Sequence, residues 1–212
     1  MLKPKGLLLL LILIFSGALL SSSRYWKQAK GRIGTIPEEH LRSPGYKEKM
    51  QAKASEARMF IEKNRYNESI CFLVDMSLPS GQNRFFVYNL KKDSLVSSGL
   101  VTHGNCNQYW LDGRKYDNVV GCGCTSLGKY KIGNSYAGRF GLAFKLFGLD
   151  KTNDKAFARY VVLHSHSCVP ETEVKDEICQ SNGCPTVSPG FLWKLKSIVH
   201  QSKKPVLLWI YE

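Results

Sequence analysis

The chain has 212 residues and a formal charge of +13, with 43% hydrophobic and 22% charged side chains. Its length suits one compact domain plus an extension, since domains usually run to about 100–200 residues, and its composition excludes a disordered or fibrous chain. The charge does not signal nucleic acid: residues 1–65 carry 13 basic against 5 acidic side chains, a net +8 beside the first apolar segment, which leaves only +5 for residues 66–212.

The chain opens with "MLKPKGLLLLLILIFSGALLSSSRYWK", in which Lys3 and Lys5 precede an apolar stretch from Leu7 to Leu20. Basic residues, a short apolar run and small polar residues form an export signal. The stretch falls short of the roughly 20 apolar residues that span a bilayer, yet no Ala-x-Ala cleavage site follows it. Residues 1–23 are therefore read as either a signal peptide or a signal anchor, placing the protein in the periplasm or cell envelope. Residues 24–65 continue as a basic tether and a helix. Between Ser21 and Pro44 the sequence is polar and broken by glycine and proline. Such a basic stalk stays near anionic lipid or wall polymer. From Lys47 to Asn64, Met50, Ala54, Ala57 and Ile61 recur at helical spacing, which predicts an amphipathic helix packed on the domain behind it.

Six short β-rich runs follow: "ICFLVD" (70–75), "RFFVYNL" (84–90), "LVSSGLVT" (95–102), "LGKYKI" (127–132), "RYVVLH" (159–164) and "VLLWIY" (206–211). Polar turn residues separate them, so the domain from residue 66 to 212 is expected to be mainly β and mostly antiparallel. One late helix is predicted, with Ser188 as N-cap, Pro189 in the first turn and Leu192, Leu195 and Val199 as its apolar stripe.

Seven cysteines stand at 71, 106, 122, 124, 168, 179 and 184. In an exported domain such a number favours disulfides. If six pair, one thiol stays free, and six cysteines allow 15 connectivities.

Chemistry is suggested where "RYVVLH" ends at His164 and "SNGC" brings Cys184 twenty residues later. A cysteine nucleophile needs a base, because an ordinary thiol is mostly protonated at neutral pH. A helix N-terminus just after Cys184 would act in the same direction. Gly183, lacking a Cβ, permits a sharp turn and lets a substrate carbonyl approach the amides of Gly183 and Cys184. The alternative is that Cys184 is one more disulfide partner and His164 a satisfied strand-end residue. Cys122 and Cys124 in "GCGC" invite a metal reading, but no second Cys-x-x-Cys or histidine pair accompanies them.

These residues resemble the L,D-transpeptidases of bacterial cell walls, most closely the murein L,D-transpeptidase catalytic domains. The resemblance rests on "CFLVDMSLPSGQNRFFVYNLKKDSLV", "VTHG" (101–104), "SLGKY" (126–130), "YAGRFGLAFKLFGLDKTNDKAFARYVVLHS" (136–165) and "SNGCPTVSP", in that order, and covers about residues 68–212. It implies a mainly β sandwich or barrel with a few peripheral helices. It also implies a cysteine-dependent enzyme acting on peptidoglycan tetrapeptide stems, with Cys184 as nucleophile, His164 as base and the Gly183 and Cys184 amides as oxyanion donors. Ser181 would brace the loop, with Asn182 and Ser165 beside it. His166 rivals His164 as base, and His103 is either a supporting residue of the pocket or a bare strand-end histidine. Cys168 and Cys179 flank the active loop and are expected to be joined. The sequence departs from the commonest family pattern at Asn182, where many members have histidine, and at Pro185 after the cysteine, which leaves the substrate-orienting contact unassigned. A monomer without metal, cofactor or nucleic acid is expected. Trimming of the same stems by water, or a non-catalytic wall-binding protein that keeps the fold, are the competing readings.

Overall fold

A computed structural model describes residues 45–212. The leader and the tether as far as residue 44 lie outside the described residues. Helix α1 (Tyr46–Asn64) starts at Gly45, whose N–H is accepted by the Glu48 side chain at 2.7 Å, and ends at Arg65 in the left-handed region. Eight strands follow in one mixed sheet: β1 (Ile70–Asp75), β2 (Phe85–Asn89), β3 (Ser94–Gly99), β4 (Gly128–Gly138), β5 (Gly141–Gly148), β6 (Val162–Ser165), β7 (Thr186–Val187) and β8 (Leu207–Tyr211). Helix α2 (Pro189–Gln201) sits between β7 and β8.

The order across the sheet is β3-β2-β1-β8-β4-β5-β6-β7. Pairing is antiparallel except for β1 with β8 and β6 with β7. The two ends of this order also meet: Val101, just past β3, bridges Val187 of β7, and Thr102 N–H donates to Thr186 O at 2.9 Å. The sheet thus closes on itself, as a mainly β barrel does, and few backbone groups are left at an open edge.

The period of two along the strands sorts side chains to opposite faces. On β1, Phe72 and Val74 join the larger core with Phe85, Val87, Leu208 and Ile210, against which Leu192 and Leu195 of α2 also pack. Cys71 and Leu73 face the other way and meet Phe86, Tyr88 and Leu207 beneath Met50, Ala54, Ala57 and Ile61 of α1. The helical stripe thus finds its sheet.

Several boundaries differ from the expected ones. "LVSSGLVT" stops as a strand at Gly99, and "RYVVLH" becomes a strand only at Val162, because Tyr160 adopts φ +56°. "LGKYKI" extends to Gly138, and its partner β5 was not among the six expected strands. Two disulfides form, Cys106–Cys124 and Cys168–Cys179, and Cys71, Cys122 and Cys184 remain free. Six cysteines therefore do not pair. Cys71 is spent in the core as a small apolar residue, and burial pushes its thiol up to about 12.

Candidate active site

Strand β6 carries His164 opposite Thr186 of β7 and Ala143 of β5, so its backbone is fixed between two neighbouring strands. Its Nδ1–H donates to the Ser165 carbonyl at 3.1 Å. With that proton committed, Nε2 carries the lone pair, and it accepts from the Thr186 hydroxyl at 3.0 Å. The same hydroxyl lies 3.3 Å from the Cys184 carbonyl, so a rotation of one O–H frees Nε2 for another proton. Phe140, at the tip between β4 and β5, stacks on the ring with centroids 4.8 Å apart. Burial lowers the pKa of His164, nearby His166 adds to the effect, and the Ser165 carbonyl opposes it.

Cys184 stands at the entry to β7. Its sulfur accepts from the Val162 N–H at 3.5 Å and lies 3.8 Å from the Tyr160 carbonyl, the residue with the unusual φ. Burial raises the thiol pKa, while the Val162 amide and the Arg159 charge oppose the rise. The expected help from a helix N-terminus is absent: β7 intervenes, and the first turn of α2 is instead capped by Glu171, which accepts from Ser188 Oγ and Gly190 N–H at 2.7 Å each. Both shifts favour the uncharged forms, a thiol and a neutral imidazole, over a thiolate and an imidazolium.

The loop before Cys184 is shaped by close approach. Gly183 has φ +98°, and a Cβ there would come within 2.5 Å of the Cys124 carbonyl, so only glycine fits. Ser181 ties the loop together: its hydroxyl donates to the Cys184 carbonyl at 2.7 Å and accepts from the Gly183 N–H at 3.2 Å, and its own N–H donates to the His103 carbonyl at 2.9 Å. The Gly183 amide, expected as an oxyanion donor, is thus already occupied by Ser181. Among the described residues the Cys184 N–H has no hydrogen-bond acceptor, nor has the Asn182 N–H, so these two are the open backbone donors of the loop.

A groove of about 240 Å³ is lined by Phe140, His164, His166, Ser181, Asn182 and Cys184, among others. His164 and Cys184 thus share one cavity. His166 also faces it, with Nδ1 accepting the Cys168 N–H at 3.1 Å. His103 does not line it: the side chain is 2% exposed, Nδ1 accepts from Arg84 at 3.1 Å, and burial beside that guanidinium takes its pKa down to about 4. It supports the site through its carbonyl. Among the described residues no three His, Cys, Asp or Glu side chains converge as a metal ligand set, and Cys124 is bound to Cys106.

Sequence reasoning missed four neighbours of the site: Phe140, Thr186, Tyr160 and Arg159. Arg159 donates to the carbonyls of Asp117, at 2.9 Å, and Cys124, to Ser126 Oγ at 3.0 Å and to Cys122 Sγ at 3.3 Å. Their only signal was a place within the quoted stretches, Phe140 between two glycines, Arg159 and Tyr160 before "VVLHS" and Thr186 two residues after Cys184, and no role at the site was written in any of these.

The family model of the L,D-transpeptidase catalytic domain matches residues 43–211. No curated protein matches the chain. Among solved structures, the helical cell shape determining protein Pgp2 of Campylobacter jejuni is similar at 16% identity and a TM-score of 0.45, over 68% of this chain and 47% of that one. An L,D-transpeptidase of Xylanimonas cellulosilytica is similar at 14% identity and a TM-score of 0.37, over 72% and 68% of the two chains. The chain spans about half the length of the Pgp2 structure.

Proposed function

Since the chain belongs to the L,D-transpeptidase catalytic domain family, we propose that it is a cysteine-dependent enzyme that transfers acyl groups of peptidoglycan tetrapeptide stems through Cys184. The observation that carries this reading is the groove that His164 and Cys184 both line, in which the Ser165 carbonyl holds the Nδ1 proton of His164 and leaves Nε2, bonded to the Thr186 hydroxyl, as the basic nitrogen.

In the proposed reaction Cys184 Sγ attacks the carbonyl before the terminal D-alanine while His164 Nε2 takes the thiol proton. The Cys184 N–H faces the developing oxyanion, a donor that costs no reorganisation when charge appears. The C–N bond breaks, the imidazolium returns its proton to the departing amine, and D-alanine leaves with an S–C thioester in place. An amine of a neighbouring stem then attacks the thioester, forming C–N as S–C breaks, and gives a crosslink; water in the same position gives a trimmed stem. Either way the proton removed from the acceptor goes through Nε2 back to sulfur. An uncharged starting pair suits this sequence, because the same imidazole nitrogen serves first as base and then as acid. The two disulfides support action in an oxidising compartment outside the cytoplasm, in keeping with the export signal.

The test is mass spectrometry of tetrapeptide muropeptides incubated with the full chain, beside a Cys184→Ala variant. D-alanine release by the intact cysteine alone is expected, with crosslinked or trimmed products identifying the acceptor. No change with folded protein would overturn the reading.

A further inference from the structure

A second cavity of about 220 Å³ adjoins the groove, lined by Asn107, Gly121, Gly123, Arg159 and Asn182. Asn182 lines both, so one exposed side chain of the "SNGC" loop is the wall between the thiol groove and this polar space. Arg159 gives the cavity its only charge. Its guanidinium is partly buried, it donates to two carbonyls, a hydroxyl and a thiol, and among the described residues no carboxylate pairs with it. A charge taken out of water is normally neutralised by a partner, and guanidinium groups match carboxylates in shape as well as charge. Here the protein supplies neutral acceptors only. The weakest of them is the Cys122 thiol, so the N–H aimed at it is the one most readily given to an anion. Arg159 is also close behind the nucleophile: one of its terminal nitrogens lies 3.3 Å from where a Cβ of Gly183 would be.

We propose that this cavity is an anion subsite for the acyl-donor peptide, in which Arg159 recognises a substrate carboxylate within one residue of the scissile bond and so determines specificity. The proposal rests on the reading that Cys184 acts on a peptide stem. Two carboxylates have that chemistry: the α-carboxylate of the departing D-alanine, and a side-chain carboxylate of the residue before it. Gly121 and Gly123, both at positive φ, keep side chains off the cavity floor, the Asn107 amide braces that floor by donating to the Gly121 carbonyl at 2.7 Å, and the exposed Asn182 amide offers a neutral hydrogen bond beside the anion.

The experiment uses the full chain and three tetrapeptides: the free acid, the terminal carboxamide, and the peptide amidated only on the third residue. Binding is measured by calorimetry with the Cys184→Ala variant, and kcat/KM for D-alanine release with the active protein. We expect one of the two amidated peptides to lose at least about tenfold in affinity and in kcat/KM, mostly through KM, the scale of a charge-assisted hydrogen bond; which one loses identifies the carboxylate. In the Cys184→Ala background, where the thiol that feels the Arg159 charge is gone, Arg159→Gln should bring the affinity for the free acid down to the level of that amide, so that the acid-to-amide ratio of binding falls to about one. Should Arg159→Gln fail to fold, Asn182→Asp, an exposed change in the shared wall, should narrow the acid-to-amide ratio by repelling the same carboxylate. Equal binding and turnover of all three peptides would overturn the subsite while leaving the Cys184 reading intact, as would an Arg159→Gln variant that weakens acid and amide alike. Binding that discriminates acid from amide without any D-alanine release would sustain the subsite and overturn the reaction.

Discussion

The two ends of this domain are held together by different physics. Under α1 the contact is plain burial: Met50, Ala54, Ala57 and Ile61 cover Cys71, Leu73, Phe86 and Tyr88, each close to fully buried. Around Cys184 the chain is not packed that way: Cys184 lines a groove, and the nucleophile proposed for it needs an approach from solvent. Staples replace packing there: two disulfides, the Ser181 hydrogen bonds, and a glycine whose backbone touches the Cys124 carbonyl. Apolar burial tolerates small shifts at the cost of stability alone, whereas a stapled loop holds reacting atoms in place and loses function when it moves. Stability should therefore be set at the α1 end and activity at the loop end, and mutations should separate the two.

The largest effect is expected at the base. His164→Ala should lower kcat/KM roughly 10²–10⁴-fold, the usual scale for general acid–base catalysis, with circular dichroism unchanged, while His166→Ala changes it by far less. A reversal of the two would move the base to His166. Next comes the loop, where Gly183→Ala forces a Cβ into the Cys124 carbonyl; a displacement of the reacting sulfur by about 1 Å can cost about a hundredfold in rate, so activity should collapse in a protein that still melts cooperatively. At the other end, Ile61→Ala should destabilise by about 2–5 kcal/mol through a core cavity, read by denaturant unfolding, and leave kcat/KM of the folded protein as it was. Loss of activity in that variant at full folding would break the division of labour argued above.

Two smaller effects sharpen the same contrast. Protonation of His164 removes the base, and burial disfavours the charged imidazole, so more acid is needed to protonate it than an ordinary histidine requires. The acid limb of the kcat/KM profile should accordingly fall below pH 6.5, the unperturbed histidine value; a limb above that value would mean that the resting pair is ionic. Phe140→Ala removes the ring stacked on His164, and an aromatic contact of about 0.5–1.5 kcal/mol corresponds to about a threefold to tenfold change in rate. Because Phe140 is exposed, the melting temperature should hardly respond.

The legible parts of this protein share one property, which is that local spacing sufficed. The α1 stripe at Met50, Ala54, Ala57 and Ile61 and the Ser188–Pro189 helix start are written in neighbouring residues, and the structure carries both as read. The short runs of β-branched and aromatic residues in "ICFLVD", "RFFVYNL" and "VLLWIY" likewise located β1, β2 and β8. Strand β5 escaped because "GLAFKLFG" combines good helix formers with a short apolar run, for which periodicity alone does not separate strand from helix. The two residues of β7 are too few to show any period.

At the site, sequence pattern and family resemblance singled out Cys184, His164, Gly183 and Ser181, because such residues are constrained by what they do locally. Tertiary structure alone decided the rest: that Ser181 takes the Gly183 amide and leaves the Cys184 N–H open, that Glu171 rather than the thiol meets the N-terminus of α2, and that Arg159 stands behind the Gly183–Cys184 loop and Phe140 on the His164 ring. Each of these depends on segments brought together when the sheet closes at Val101 and Val187. No spacing along the chain encodes that meeting, because it is set by the register of strands far apart in sequence.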